Sequence, residues 1–553
     1  MPTTSWQHRG PILIALVGVL VGTVLRIALA TYRPALFLDE AMLALNVLTR
    51  PVSAIGRPLA FEQTAPVLFL LLAKVATGLA VPVDVALRAT AVAAGIATVP
   101  LLWLAATSLR MSPAAAAAVT VAAALSPMLV SFSEMFKPYA MDAAVAALLI
   151  ALTAWLAERP ADRARWLACG IGAAVAPFAS TPSVFVLVGV AGALVLKGDY
   201  PRRVAIVILA IASASVANYL LFQRVPATNG FLQHYWSPAF LWPLNGAAAD
   251  RVRSTTGLVL EWTLFGGPQL PFAVYGLMAI AAVIGLVDRA RHLGVWSAWL
   301  LGAPPAAALI AATARLYPLS PRTLVFAVPI LILLAVDGLW TVARRVPPAV
   351  VALGAAALLV CPVSNAVSEL RKLATPDSAA AGMATVRARA GAGDAIYIFG
   401  RDVASWTVAT TNDWDSSSPR LAWYMHALTR LGPNPGNAPS RHAAVPDSEG
   451  MNLVWRGTGA AEVVGVPTGM EQIFGRFVTH ESDTGWVSHE SRRILALHPV
   501  TAWLFFTTCD LRPCDQQLAD TLVSHGGQLI YRRADAAAAV YGVRFTNSKT
   551  RPD

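Results

Sequence analysis

The sequence predicts a mainly α-helical, polytopic membrane protein that ends in a small soluble α/β domain. Three observations predict it. Hydrophobic residues make up 56% of the 553 positions and charged residues only 13%, at a mean hydropathy of +0.58, a balance foreign to soluble globular chains. Long apolar runs recur along the chain and stop near residue 367. The charge divides at the same place: residues 1–367 carry 24 Lys+Arg against 13 Asp+Glu, residues 368–553 carry 18 against 18, and the net +11 therefore belongs to the first part. Domains are accordingly drawn at 1–367, transmembrane, and 368–553, soluble.

The first run, 11–31, is long enough to span a bilayer, which takes about 20 apolar residues. It lacks a convincing small-residue cleavage site and reads as a retained helix rather than a secretory signal. The run 64–80 is marginal in length and interrupted by Lys74, so it reads as a juxtamembrane helix along the outer face. Crossings follow at 86–106, 114–131 and 139–157. The run 167–196 reads as two short helices broken at Pro177 and Pro182, because proline removes a backbone donor and clashes with the preceding turn. Runs 204–222, 271–287, 295–313, 323–342 and 348–366 complete about 11 transmembrane helices.

Orientation follows from Lys and Arg, which short cytoplasmic loops retain. With the N-terminus inside, the inner loops hold Arg159, Arg163, Arg165, Arg202, Arg203, Arg344 and Arg345 at a higher density than the outer segments. The N-terminus is expected in the cytoplasm and the C-terminal domain in the periplasm; heavy Ala and Arg usage fits a bacterial inner membrane. A basic membrane domain points to anionic membrane lipids or lipid phosphates, and no clustered basic face speaks for nucleic acid.

In the C-terminal domain, GDAIYIFG, TAWLFFTT and AAVYGVRF read as strands, with helices at 380–390 and 515–525 and a long loop at 411–450. Cys169 and Cys361 fall in apolar helices as packing residues. Cys509 and Cys514 read either as a small disulfide loop or as two free thiols.

The chemistry-bearing residues gather on segments assigned to the outer face. Asp39 and Glu40 follow the first helix directly, and ionisable groups at a membrane boundary are functional candidates by default. Glu62 and Gln63 precede the juxtamembrane helix; Glu134, Lys137, Tyr139 and Asp142 lie in SFSEMFKPYAMD; Arg315, Tyr317 and Arg322 lie in ARLYPLSPRTLVF. Carboxylates with cations suit displacement at a sugar carbon, one carboxylate taking the acceptor's proton and the cations stabilising a departing phosphate. For Glu40 a capping role, for Asp142 a helix-dipole role, and for the aromatics of QHYWSPAFLWPL an interfacial belt stand as alternatives.

In order and position these segments resemble the GT-C glycosyltransferases that use polyprenyl-phosphate sugars, in the protein O-mannosyltransferase and aminoarabinose transferase branch, a family 39-like group. The Asp-Glu pair, FEQTAP, DVALRATAV, EMFKPYAMD and YPLSPRTLVFAVP carry the resemblance, over most of residues 10–345. It implies an inverting transfer from a polyprenyl-phosphate-linked sugar to a lipid, glycan or protein acceptor, with Asp39 acting on the acceptor and Glu40 beside it. Relatives commonly present Lys or His where FEQTAP has Gln63 and Thr64, which moves the expected donor-phosphate contact to Lys137, Arg315 and Arg322. Gln63, Glu134, Tyr139, Asp142 and Tyr317 are then expected to bind substrate. The sequence calls for no cofactor; some such enzymes recruit a divalent metal ion beside the acids, but no His-rich outer cluster demands one.

Two other classes compete. A lipid-linked oligosaccharide transporter or flippase should show inverted repeats and mid-membrane polar residues, and neither is visible. A surface-polysaccharide polymerase or ligase needs basic residues in a large outer loop, which Arg224, Arg251 and Arg253 would supply.

Overall fold

The computed structural model describes residues 6–32, 35–264, 272–374, 378–411, 414, 418–431, 453–457, 459–465, 470–473, 476–479, 485–507, 514–535 and 538–546. The chain divides into two compact units. The first comprises Met1–Tyr32, Val52–Pro58 and Thr64–Ala374; the second comprises Arg33–Pro51, Leu59–Gln63 and Thr375–Asp553.

The first unit is all helix: α1 (Trp6–Tyr32), α3 (Val67–Ala76), α4 (Val83–Ser108), α5 (Pro113–Leu125), α6 (Pro127–Glu134), α7 (Tyr139–Glu158), α8 (Arg163–Ala179), α9 (Ser183–Lys197), α10 (Pro201–Asn218), α11 (Arg224–Ala227), α12 (Gly230–Tyr235), α13 (Gly246–Leu264), α14 (Phe272–Leu293), α15 (Val295–Thr313), α16 (Val328–Ala343) and α17 (Pro348–Lys372), with α2 (Leu38–Thr49) belonging to the second unit. Among the described residues seven helices are long and apolar enough to cross a membrane, and the bent pair α5 and α6, 44° apart, makes an eighth. The other three runs read as crossings from sequence are α8 and α9, of 17 and 15 residues, and α14, which ends in the charged stretch DRARH. The expected juxtamembrane helix is α3, ten residues long.

Prolines and small residues shape this bundle. Ser126-Pro127 breaks the fourth run: proline cannot continue α5, and the Ser126 hydroxyl accepts from Leu129 N–H to cap α6. The break in 167–196 falls at Ser180 to Pro182, whereas Pro177, expected to be a second break, lies inside α8. The core between α4, α5, α7, α9 and α16 is rich in alanine, which lets helix backbones approach closely. The approach is tightest between α14 and α16, where a Cβ on Gly338 would lie 1.8 Å from the Ala281 carbonyl.

That approach closes an ionic lock. Arg289 on α14 meets Asp337 on α16 at 2.7 Å and its neighbour Asp288 at 2.9 Å, and it donates to the Leu109 carbonyl at the end of α4 at 2.7 Å. A buried charge survives in such a place when paired and hydrogen-bonded. The C-terminal ends of α4, α14 and α16 are thereby joined at one end of the unit, opposite the starts of α4 and α7.

The second unit is an α/β fold. Its six-stranded sheet runs β2 (Val454–Trp455), β3 (Ala461–Val464), β1 (Ala395–Ile398), β6 (Thr501–Phe506), β8 (Ala539–Phe545), β7 (Gly527–Ala534), with a separate pair β4 (Met470–Ile473) and β5 (Arg476–Thr479). The strands β3, β1 and β6 are parallel, and β8 closes antiparallel on β6. Parallel strands are covered on both faces and read as unbroken apolar runs, as AIYI and TAWLFF do. The helices are α18 (Ser378–Arg389), α19 (Val403–Thr410), α20 (Pro419–Leu431), α21 (Gly485–Leu495) and α22 (Cys514–Ser524). The three strands and two helices expected from sequence are present. The expected loop 411–450 is corrected in part, since 419–431 is helical: its apolar residues fall on one face, with Leu421, Tyr424, Ala427 and Leu428 buried. Residues 432–450, Cys509 and the side chain of Cys514 lie outside the described residues.

Candidate active site

Asp39 and Glu40 sit in the first turn of α2, within the second unit. Glu40 is buried, and its Oε2 accepts the Phe37 N–H at 3.1 Å, so it caps the helix start. That leaves Asp39, half-buried, as the acid of the pair whose place in the turn is not explained by capping. Most of α2 is buried, through Ala41, Leu43, Ala44, Leu45 and Val47.

Residues 59–63 fold back onto α2. Asn46 clamps Ala60 from both sides, donating from Nδ2 to its carbonyl at 3.1 Å and accepting its N–H on Oδ1 at 2.8 Å. Phe61 and Glu62 then both adopt left-handed backbone, φ 62° and 56°, an arrangement uncommon outside glycine and often kept at sites of function. The turn carries Gln63 to the helix, where its Nε2 reaches the Met42 sulfur at 3.9 Å and the Phe61 carbonyl at 3.1 Å. Met42 is three residues on from Asp39 and so on the same helix face. Gln63 thus lies against the helix that carries Asp39.

In the first unit, α6 delivers Glu134 and α7 begins at Tyr139, with Met135 to Pro138 as the turn between them. Phe136 is buried and stacks on Phe69 at 5.6 Å, which turns Lys137 inward to 6% exposure. A lysine is almost never so buried without a partner or a task. Tyr139 packs edge-on against Phe132 at 5.0 Å. One turn into α7, Asp142 is 5% exposed, and its Oδ1 has no hydrogen-bond partner among the described residues. Ser180, in the break between α8 and α9, stands beside this carboxyl.

Tyr317 joins the same cluster. Its hydroxyl donates to the Thr323 carbonyl at 2.8 Å and its ring meets Phe185 edge-on at 5.0 Å. Burial, with Asp142 and Tyr139 nearby, pushes its phenol well above the ordinary range, so Tyr317 stays protonated. Tyr139, Asp142, Ser180 and Tyr317 thus form one polar nest at the start of α7.

The two arginines expected at the donor phosphate are held by aromatic residues. Arg322 donates to the Tyr235 hydroxyl at 2.8 Å and lies 4.6 Å from the Trp236 ring centre; Arg315, exposed and left-handed at φ 58°, lies 5.8 Å from Phe240. Tyr235, Trp236 and Phe240 therefore grip cations, where the sequence left a belt as the alternative.

Sequence reading missed Arg88, buried on α4 one turn before Ala91 on the face that meets α7 through Ala140 and Ala144. It also missed Ser180 and Arg26. An arginine inside DVALRATAV was the available signal; nothing distinguished Ser180 before the chain break was known. Among the described residues no three His, Cys, Asp or Glu side chains stand close enough to hold a metal ion.

No family model and no curated protein matches the chain. Among solved structures it is similar to ArnT from Cupriavidus metallidurans, crystallised with undecaprenyl phosphate, at a TM-score of 0.45 and 15% identity over 98% of each chain. It is also similar to the Archaeoglobus fulgidus oligosaccharyltransferase, crystallised with zinc and sulfate, at a TM-score of 0.42 and 11% identity over 89% of this chain and 67% of that one. No residue role is carried over from either.

A buried carboxyl with one oxygen lacking a hydrogen bond among the described residues is a stability liability. Asp142→Asn is therefore expected to keep or raise the thermal unfolding midpoint, by up to about 1–3 kcal/mol of relieved desolvation, while lowering activity. A lower midpoint with intact activity would make Asp142 a structural residue.

Proposed function

We propose that this chain is a membrane glycosyltransferase that takes a sugar from a polyprenyl-phosphate donor and gives it, with inversion, to an extracytoplasmic lipid, glycan or protein acceptor. The observation that carries this reading is the contrast between the two ends of the first unit. At one end Arg289, Asp288 and Asp337 satisfy one another; at the other, Lys137 and Asp142 are buried where the latter's Oδ1 lacks a hydrogen bond. A charge lock at one end and a buried polar nest at the other suit an enzyme working at one membrane surface.

Asp39 accepts the proton of the acceptor hydroxyl as that oxygen forms its bond to the sugar's anomeric carbon. The bond from this carbon to the phosphate oxygen breaks on the opposite side, and the electron pair leaves with the polyprenyl phosphate. Lys137, Arg315 and Arg322 stabilise that charge. Glu40 fixes the turn that carries Asp39, and Gln63, Glu134, Tyr139, Asp142 and Tyr317 hold sugar and acceptor. In this reading the protein lies in a bacterial inner membrane with its N-terminus in the cytoplasm and its C-terminal domain in the periplasm.

Radiolabelled sugar transfer by the purified protein in lipid, across a panel of polyprenyl-monophosphate sugars, tests it. Turnover of one donor supports the enzyme; movement of lipid-linked oligosaccharide across the bilayer with no donor consumed would replace it by a transporter. With the donor known, Arg322→Ala and Lys137→Ala should each raise the donor KM about 10- to 150-fold, the worth of a charge-assisted hydrogen bond of about 1.5–3 kcal/mol. Unchanged donor saturation in both would move the phosphate site elsewhere.

A further inference from the structure

The C-terminal domain holds the segment that carries Asp39. Ser405, buried in α19, donates from its hydroxyl to the Leu36 carbonyl at 2.5 Å across 369 residues of sequence. Leu36, itself buried, is three residues before Asp39. The N–H of that same peptide bond, on Phe37, is taken by Glu40. The peptide group leading into the first turn of α2 is therefore fixed on both sides, its N–H by α2 itself and its C=O by α19, and α19 packs along α2 with Val403, Ala404, Trp406 and Val408 buried.

The helix α19 is in turn bolted to the sheet at both ends. At its start Asp402, buried, accepts the Thr507 N–H at 2.8 Å and the Thr507 hydroxyl just beyond β6. Further along, Trp406 Nε1 donates to Glu462 of β3 at 3.4 Å, and Arg420 of α20 grips the same carboxylate with bonds of 2.6 and 2.9 Å. A continuous hydrogen-bonded path thus runs from β6 and β3 through α19 to the backbone beside Asp39, all within one compact unit. Reactive groups work when locked by a rigid supporting element, and a misplacement of about 1 Å can cost on the order of 100-fold in rate.

We propose that Ser405 is a positioning residue: its hydrogen bond to Leu36, backed by α19, sets Asp39 for proton abstraction, which gives the C-terminal domain a part in the chemical step. This rests on Asp39 being the base. Nothing in the Asp39 side chain's own contacts is required of Ser405, so the effect should fall on the step in which the proton moves and spare donor binding.

The experiment uses the full-length protein in lipid and compares Ser405→Ala, Ser405→Cys and Ser405→Thr with wild type and Asp39→Asn. The cysteine variant keeps the volume and replaces a strong donor by a weak one; the threonine variant keeps the hydroxyl. The expected result is a kcat lowered about 10- to 100-fold in the alanine and cysteine variants, an unchanged donor KM, and near wild-type turnover in the threonine variant. Amide exchange should quicken at residues 38–42 while β1 and β6 stay protected. Wild-type kcat in Ser405→Cys, with Asp39→Asn inactive, overturns the positioning role and leaves the base assignment standing. If Asp39→Asn is itself fully active, both fall. If the strands of the alanine variant lose protection as well, the cysteine and threonine pair decides, and equal turnover in those two overturns the proposal.

Discussion

Asp39→Asn is expected to lower sugar transfer by about 10²- to 10⁴-fold, the usual worth of a positioned general base, with expression and donor binding unchanged. The amide keeps the size of the carboxylate and loses only its ability to take a proton. The structure sharpens the expectation by separating the two acids. Glu40 is committed to the Phe37 N–H, so Glu40→Gln, which keeps an accepting oxygen, should lose far less than Asp39→Asn. Single-turnover transfer at saturating donor measures both, and the reverse order of severity would exchange their roles. Full activity in Asp39→Asn would remove the residue from the mechanism.

The second large effect is structural. Arg26, fully buried in the first membrane-spanning helix, donates to the Ala124 and Ala123 carbonyls at 3.1 and 3.2 Å, to Gly22 O at 3.0 Å, and to the Ser133 hydroxyl at 3.3 Å. Proline at 127 breaks the run after α5 and leaves its last carbonyls without intrahelical donors, and no water reaches them there. Arg26 supplies those donors and binds α6 through Ser133, one residue before Glu134. The space is made by Gly95, where a Cβ would fall 2.0 Å from the Ser133 oxygen. Arg26→Leu is therefore expected to destabilise the protein on the order of 4 kcal/mol, at about 1–3 kcal/mol per orphaned buried acceptor, read as a lower unfolding midpoint in detergent. Arg26→Lys should recover only part, because an ammonium cannot spread its donors over two helices as a guanidinium fork does. A wild-type midpoint in Arg26→Leu would mean that the broken helix is held by packing alone.

Much of the fold could be read from composition and periodicity. The apolar runs, the short ten-residue helix at 67–76 and the strands of the C-terminal domain each follow from local pattern, because burial in lipid or in a parallel sheet demands unbroken apolar sequence. The candidate residues were also legible, since an acid or a cation inside or beside such a run is costly and conspicuous. What their neighbours would be was not. Ser405 has no local mark to set it apart from any helix serine, and its partner lies 369 positions away. Arg26 was visible as a charge in an apolar helix, but its purpose depends on a break in a different helix. The aromatics Tyr235 and Trp236 read as a membrane belt until Arg322 was found against them.

The sequence by itself determined that this is a multi-pass helical protein with a soluble α/β tail, and which polar residues lie where polar residues are expensive. Only the tertiary structure decided that the segment bearing Asp39 and Gln63 folds with the C-terminal domain, that Glu40 is a cap, and that Asp142 keeps an oxygen without a hydrogen bond. The reason is physical. Burial is a property of a residue and its near neighbours in sequence, whereas a hydrogen bond is a property of two groups that the chain must first bring together.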